Sequence, residues 1–382
     1  MAKIDYLIVG AGLFGSTFAR LVTERGATCL VVERRQKVGG NLRCENIEGI
    51  NVHRYGAHIF HTSDENVWRF MNRFYAFNDF QNHPLAIKDG KMYNLPINMH
   101  TLYQILGAQN PEAGKMMIDM ETKKYRNAPI TNLEEQALSM VGVSIYQTLI
   151  KGYTEKQWGM DCTKLPADII KRIPVRYTFD NNYFNDKYQG VPMGGYNDGI
   201  EKMLVHIPVV CDMGDREIRQ LIESKCAEHV IYTGAIDEFF DYSNGELKWR
   251  SVTFQDNVLN VPDFQGNAVV NNCDRYTPYT RIIEHKHFEC LTQDEVNANP
   301  KTVISYEFPR EWKRGVEPYY PVRDDESLRR LEKYQEMAKE KYPEVEFCGR
   351  LGEYQYYDMD DTVAAAMDLV NKLENLVIRY GE

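Results

Sequence analysis

No stretch of the sequence keeps about eighteen apolar residues together, so none reads as a membrane-spanning helix. The first residues run straight into a strand-like segment without a charged and then apolar leader, and no signal peptide is expected. The eight cysteines, at 29, 44, 162, 211, 226, 273, 290 and 348, include no Cys-x-x-Cys pair. That excludes the usual zinc and dithiol motifs and fits reduced thiols in a cytoplasmic protein. His-Glu-x-x-His and Gly-x-Ser-x-Gly are both missing, which removes the common metalloprotease and serine hydrolase classes. Positive charge is also scarce: 45 Lys and Arg stand against 55 Asp and Glu, a net −10. Nucleic acid is therefore not an expected partner, and an anionic ligand must find basic residues placed locally. No internal repeat or low-complexity linker divides the chain.

What is present is an ordinary globular composition, 43% hydrophobic and 26% charged, over 382 residues, enough for two or three modules. Tyrosine is abundant, at 25, beside 16 Phe and 4 Trp. The most informative stretch is Lys3–Gly40. An apolar run, Tyr6–Val9, leads into Gly10, Gly12 and Gly15 at Gly-x-Gly-x-x-Gly spacing, an amphipathic segment reaches Arg25, and a second apolar run, Cys29–Val32, ends at Glu33. Gly10 permits the tight turn, Gly12 the approach of a pyrophosphate, and Gly15 close packing of helix on strand. The helix N-terminus offers N–H groups to that pyrophosphate, and Glu33 is placed to accept from ribose hydroxyls. Arg34 followed by Gly39-Gly40 tilts the choice from NAD to FAD, although the glycine pair also reads as an ordinary turn.

Further along, Thr62-Ser63-Asp64-Glu65 has capping-box form. Asp89-Gly90 between Ala86–Lys88 and Lys91–Tyr93 predicts a type I′ hairpin. From Asn98 to about Arg172 the pattern is helical, with starts at Asn110-Pro111, at Asn132 with Glu135, and at Leu165-Pro166. Alternation in Leu247–Phe254, Ala268–Val270, Arg281–Phe288 and Thr302–Phe308 predicts antiparallel sheet. Glu326–Lys341 reads as a helix, Val345–Gly349 as a strand, and Asp360–Leu373 as a last helix. The expected class is α/β: a discontinuous Rossmann-like FAD-binding domain (1–80 with 205–240 and 345–382), an inserted helical domain (98–172), and an antiparallel β-sheet domain (81–97 with 173–204 and 241–344).

Several stretches carry candidate chemistry. Lys151–Gly159 sets Tyr153 and Trp158 five apart in what reads as a polar loop, either as packing aromatics or as a platform for a base or sugar. Lys171–Arg176 is basic, either a solvated cluster or a phosphate site. Asn182-Tyr183-Phe184, Tyr279-Thr280-Arg281 and Pro318-Tyr319-Tyr320-Pro321 repeat a Tyr/Arg theme suited to a hydroxylated, phosphorylated ligand. Gly349–Asp360 precedes the final helix, whose N-terminus could face a flavin or be capped by Asp358 or Asp360. His58 and His61 have a spacing that could hold a metal, but they follow directly on the flavin region, and no metal is expected.

Taken together, Gly10–Gly15, Gly39-Gly40-Asn41, Tyr55–Thr62, Leu95–Asn98, Lys151–Met160, Lys171–Arg176, Asp180–Phe184, Pro278–His285 and Gly349–Asp360 make the chain resemble the bacterial UDP-galactopyranose mutases over nearly its whole length. The resemblance implies an FAD-dependent enzyme, active with reduced flavin, that interconverts UDP-galactopyranose and UDP-galactofuranose for cell-surface polysaccharide with no net redox change. In that mechanism the flavin N5 attacks the anomeric carbon, UDP leaves, and an iminium forms as the ring opens. A homodimer acting on UDP-galactose is implied. So are roles for Arg172, Arg281 and His61 in catalysis, and for Tyr153, Trp158, Arg172, Asn182, Tyr183, Arg281, Tyr320 and Tyr356 in holding substrate. The cofactor would be lined by Gly10, Gly12, Phe14, Gly15, Glu33, Arg34, Gly40, Asn41, His58, Ile59, Arg350, Tyr357, Asp358 and Met359. Two positions depart from the pattern of many relatives: Ala57 stands where they have Pro, implying a looser flavin-side loop, and Leu149 where they have Phe, implying weaker uracil stacking. The residues also admit a flavin oxidase of a small polar substrate, or a non-catalytic nucleotide-sugar binding protein.

Overall fold

A computed structural model of the protein describes residues 3–170 and 174–380. The apolar runs of the N-terminal unit become a five-stranded parallel sheet, in the spatial order Val345–Phe347, Ala227–Tyr232, Ile4–Val9, Cys29–Val32, Val209–Val210. Parallel strands buried on both faces must be apolar throughout, which is why these segments lack alternation. Tyr6, Ile8 and Val31 pack with Phe18, Val22, Ala366 and Val370 from Leu13–Glu24 and the final helix, Met359–Tyr380. Leu7, Val9 and Val32 face the other way, onto Ile218, Ile222, Leu331 and Tyr334. Tyr196, Ile200 and Met203, expected in the sheet module, join the first of these cores because Asn197–Met203 lies against Leu13–Glu24. No helix among the described residues is long and apolar enough to cross a membrane.

The second sheet has seven strands: Tyr320–Pro321, Trp249–Leu259, Thr302–Glu311, Arg281–Glu284, Val269–Asn272, Leu85–Lys88 and Lys91–Asn94. The Asp89-Gly90 hairpin has φ of 50° and 71°, the double positive φ of a type I′ turn. One pairing corrects the sequence expectation of a purely antiparallel sheet: Val269–Asn272 runs parallel to Leu85–Lys88. The chain leaves Lys91–Asn94 through the helical module and returns much later, so no hairpin constrains the direction of that pair.

After Lys91–Asn94 come the helices Met99–Leu106, Pro111–Thr122 and Leu133–Ile145. Their starts are capped as the sequence suggests. The Asn98 side chain accepts from His100 N and Thr101 N, Asn110 from Ala113 N ahead of Pro at the first position, and Asn132 from Glu135 N. Three local expectations are corrected. The start at Leu165-Pro166 yields only a single tight turn, Ala167–Ile170. The cap near residue 62 is Asp64, accepting from Asn66 N and Val67 N, because it stands directly before the helix Glu65–Met71. And Lys151–Gly159 is no loop: Lys151–Trp158 is a helix entered through a π-helical turn, Tyr146–Ile150, and closed by Gly159 at φ 68°. Gly152, which weakens the helical signal, is there for packing, since a Cβ would lie 2.3 Å from the Cys273 carbonyl oxygen. Lys156 Nζ then donates to the carbonyls of Asn272 (2.9 Å) and Asp274 (3.0 Å), fixing this helix to the sheet.

Gly152→Ala is expected to force the helix off the sheet and destabilise the protein by about 1–3 kcal/mol. A lower urea midpoint with an unchanged slope would register it, and an unchanged midpoint would show that the contact yields.

Candidate functional site

A cavity of about 1340 Å³ runs between the parallel sheet, the seven-stranded sheet and the helical module. At one end Gly10 turns at φ 105°, and a Cβ there would meet Thr233 Oγ1 at 2.0 Å. A Cβ on Gly15 would meet the Gly10 carbonyl oxygen at 2.0 Å, so the helix can sit this close only with glycine. Gly12 faces Gly40, whose Cβ would lie 3.0 Å from Gly12 Cα. The helix opening at Gly12 has no side-chain cap, so its first-turn N–H groups remain for a ligand. This cradle fits a pyrophosphate. Glu33 is buried, accepting from Ala11 N at 2.7 Å and Arg35 N at 2.8 Å, which fixes its carboxylate at the end of the second strand. Arg34 pairs with Glu238 at 3.2 Å, while Arg35 bridges to Glu317 at 2.8 Å and to Asn41 Oδ1 at 2.9 Å.

Along the middle of the cavity runs the loop Tyr55–Ile59, held from behind by histidines. His58 Nδ1 donates to the Gly56 carbonyl at 2.8 Å. The His58 backbone N–H donates to His53 Nδ1 at 3.2 Å, and the His53 backbone N–H to His285 Nδ1, also at 3.2 Å. With Nδ1 accepting, His285 must donate from Nε2, which it does to Ser305 Oγ at 2.7 Å; Ser305 in turn donates to Asp256 at 2.6 Å. Burial holds all three rings neutral: His58 and His285 are each lowered from 6.5 to about 4, and His53 lies well below its ordinary value, pressed further by His285. Arg350 donates to the Pro318 carbonyl at 2.9 Å and also to that of Tyr319, so its guanidinium holds the Tyr319-Tyr320 turn over the cavity.

At the other end stands Arg281. Its Nε donates to the buried Glu307 at 3.1 Å, and none of the described residues bonds its two terminal nitrogens. Burial opposes its charge, but Glu307 and nearby phenols raise its pKa well above the usual value. Tyr153, Tyr183, Tyr320 and Tyr356 lie in its electrostatic neighbourhood, and Tyr320 and Tyr356 stack with centroids 6.2 Å apart. These phenols are protonated at working pH and desolvation raises them further, Tyr356 to about 12 although it is half exposed, so they serve as hydrogen-bond donors. Trp158 borders the same space, 6.4 Å from the Tyr320 ring.

Every residue expected to contact cofactor lines this one cavity: Gly10, Gly12, Phe14, Gly15, Glu33, Arg34, Gly40, Asn41, His58, Ile59, Arg350, Tyr357, Asp358 and Met359. So do His61, Tyr153, Trp158, Tyr183, Arg281, Tyr320 and Tyr356, and so do Ala57 and Leu149. Asn182 does not; its N–H turns to Asp180 at 2.9 Å and its carbonyl to Arg176. Arg172 lies outside the described residues. Arg176, from the same basic stretch, is neither solvated nor free for phosphate: it donates to the Asn182 and Phe184 carbonyls and to Asn185, stapling the loop that carries Tyr183. Sequence reasoning missed Glu307, Glu317, Asp186 and Asn82, all on the cavity wall. Only Glu307 had a visible signal, a buried-strand position occupied by a carboxylate.

The architecture and the glycine cradle define a Rossmann-like dinucleotide-binding protein whose cavity continues into a second chamber lined by Arg281 and tyrosines. Residues 8–74 match the model of an NAD(P)-binding Rossmann-like domain, and residues 148–356 that of UDP-galactopyranose mutase. The chain is 38% identical to the dTDP-fucopyranose mutase of Escherichia coli, over 95% of this chain and 96% of that one. It is 37% identical to the probable UDP-galactopyranose mutase of Klebsiella pneumoniae, over 100% of this chain and 98% of that one. Its fold matches the crystal structure of reduced UDP-galactopyranose mutase with a TM-score of 0.72, at 14% identity and with 98% and 95% of the two chains covered. The chain belongs to the UDP-galactopyranose mutase family.

The neutral histidines give a signed pH expectation. Each is held uncharged in the fold and takes up a proton near 6.5 once unfolded, so their contribution is complete above about pH 6.5 and lost as pH falls toward about 4. Urea midpoints across that window should fall steadily, and His285→Gln should flatten the decline. Equal slopes in both proteins would assign the acid sensitivity elsewhere.

Proposed function

We propose that the protein is a flavin-dependent isomerase that interconverts the pyranose and furanose forms of a nucleotide-bound sugar, with FAD in the glycine cradle and UDP-galactose as substrate. The observation that carries this reading is Arg281: its Nε is tied to a buried carboxylate, no described residue bonds its terminal fork, and it shares one cavity with the dinucleotide cradle. A diphosphate matches that fork in geometry and charge. Reduced FAD supplies an electron-rich centre for the anomeric carbon while the nucleotide departs.

The chain's own residues then have definable tasks. Arg281 holds the diphosphate as it leaves and keeps it in place to return, and Arg172 shares that load. Tyr183, Tyr320 and Tyr356 donate to phosphate oxygens, stabilising charge that grows as the bond breaks. Tyr153 and Trp158 pack against nucleoside and sugar, while the loop Tyr55–Ile59 and the Tyr319-Tyr320 turn exclude water that would hydrolyse the sugar. Glu33 anchors the adenosine ribose.

A second substrate is favoured by one observation, the 38% identity to dTDP-fucopyranose mutase beside 37% to the probable UDP-galactopyranose mutase; dTDP-fucopyranose is that reading. The protein works in the cytoplasm, in keeping with eight free cysteines. It forms a homodimer through the helical module, where Tyr103, Met116 and Met120 are more than half exposed.

Incubating the dithionite-reduced enzyme with UDP-galactofuranose and with dTDP-fucofuranose, then separating the products, tests the reaction and ranks the substrates. Turnover should need reduced flavin yet consume no reductant per cycle; loss of NADPH in step with product, or stoichiometric peroxide, would make the enzyme an oxidoreductase. Arg281→Ala should cost about 2–4 kcal/mol of transition-state stabilisation, roughly 30- to 1000-fold in kcat/KM, with flavin content unchanged. Arg281→Lys should recover part of the loss, because a point charge cannot reproduce the planar fork. Near-wild-type turnover of Arg281→Ala would move the diphosphate site elsewhere.

A further inference from the structure

His61 and Asp186 come together from segments 125 residues apart. The short strand Phe60–Thr62 pairs antiparallel with Tyr188–Gly190, and the turn before the second strand carries Asp186 beneath the His61 ring. His61 Nδ1 lies 2.8 Å from Asp186 Oδ2, and Ser63 Oγ donates to the other carboxylate oxygen at 2.7 Å. Phe184 stacks on the imidazole with centroids 3.8 Å apart and planes 19° apart, covering one face of the ring. An ionised carboxylate only accepts, which puts the proton on Nδ1 and leaves Nε2 as the ring's other polar atom. No described residue bonds Nε2, and His61 lies on the cavity wall. Phe184 adjoins Tyr183, whose phenol lies in the neighbourhood of Arg281. His61 and Arg281 thus line one cavity and are linked along its wall through Phe184 and Tyr183.

We propose that His61 moves the proton that ring contraction displaces, and that Asp186 is the positioning residue that keeps Nδ1 protonated and Nε2 turned to the sugar. This rests on the mutase reading. Pyranose and furanose differ in which oxygen closes the ring, and the exchange is proton-neutral. As C1–O5 breaks and its electron pair passes to O5, the unprotonated Nε2 takes the O4 proton and hands it to O5. The O4 lone pair then closes on C1. The imidazole ends each turnover as it began, Asp186 balances its charge while it is protonated, and no oxidant or reductant enters.

The purified holoenzyme tests this through Asp186→Asn. An amide can donate to Nδ1, inverting the tautomer, and it cannot balance an imidazolium. The expected result is a fall in kcat of about 100-fold or more with KM within about threefold and bound flavin unchanged. Asp186→Glu should recover part of kcat, since it restores the carboxylate. Imidazole 15N signals of the oxidised enzyme, with His61 assigned by its loss in His61→Gln, should report an Nδ1–H ring in the wild type and a changed ring in Asp186→Asn. A kcat for Asp186→Asn within threefold of wild type, an effect confined to KM, or an Nε2–H ring in the wild type would each overturn the proposal. If the wild type converts no sugar nucleotide, the mutase reading fails by itself, while the 15N signals still decide the tautomer.

Discussion

A carboxylate buried beneath a cavity wall is costly unless it is paired and hydrogen-bonded, and Glu307 is both. Its Oε1 accepts from Thr280 Oγ1 at 2.8 Å and from Arg281 Nε at 3.1 Å. The pairing is made across neighbouring strands, where Arg281 sits directly opposite Glu307 in the register. One strand register thus decides where the guanidinium points and which of its nitrogens remain for a ligand. The tyrosines around it are donors at working pH, since a phenol is protonated there and desolvation only raises its pKa further.

The rest of the chain brings three layers to that point. The parallel sheet supplies a dinucleotide cradle in which glycines replace side chains wherever backbone must meet backbone or phosphate. The helical module is pressed onto the sheet at Gly152 and held by Lys156, which brings Tyr153 and Trp158 to the wall of the same cavity. The loop from Tyr55 to Ile59 joins the two ends and rests on neutral histidines. Each layer is ordinary alone, and the cavity exists only where the three meet.

Much of this was legible in the chain because it is local. Gly10, Gly12, Gly15 and Glu33 announce the cradle by spacing, Asp89-Gly90 the hairpin, and Asn98, Asn110 and Asn132 stand where helices begin. The errors have local causes too. Gly152 and a polar composition disguised the helix Lys151–Trp158, whose reason for being is a packing contact with the Cys273 carbonyl. Asp64 outcompeted Thr62 as a cap by standing next to the first helical residue. Arg176 carried a charge that suggested phosphate, but loop carbonyls claimed it.

The sequence by itself determined the dinucleotide fold, the family pattern and the kinds of residue available for chemistry, since turns, caps and periodicity act over a few residues. Tertiary structure decided which of those residues face a common space and in what state. Arg281 finds Glu307 across 26 residues, and His61 finds Asp186 across 125. Hydrogen bonds and ion pairs of that reach leave no periodic trace in a chain, because their geometry is set by strand register and by the packing of one layer on the next.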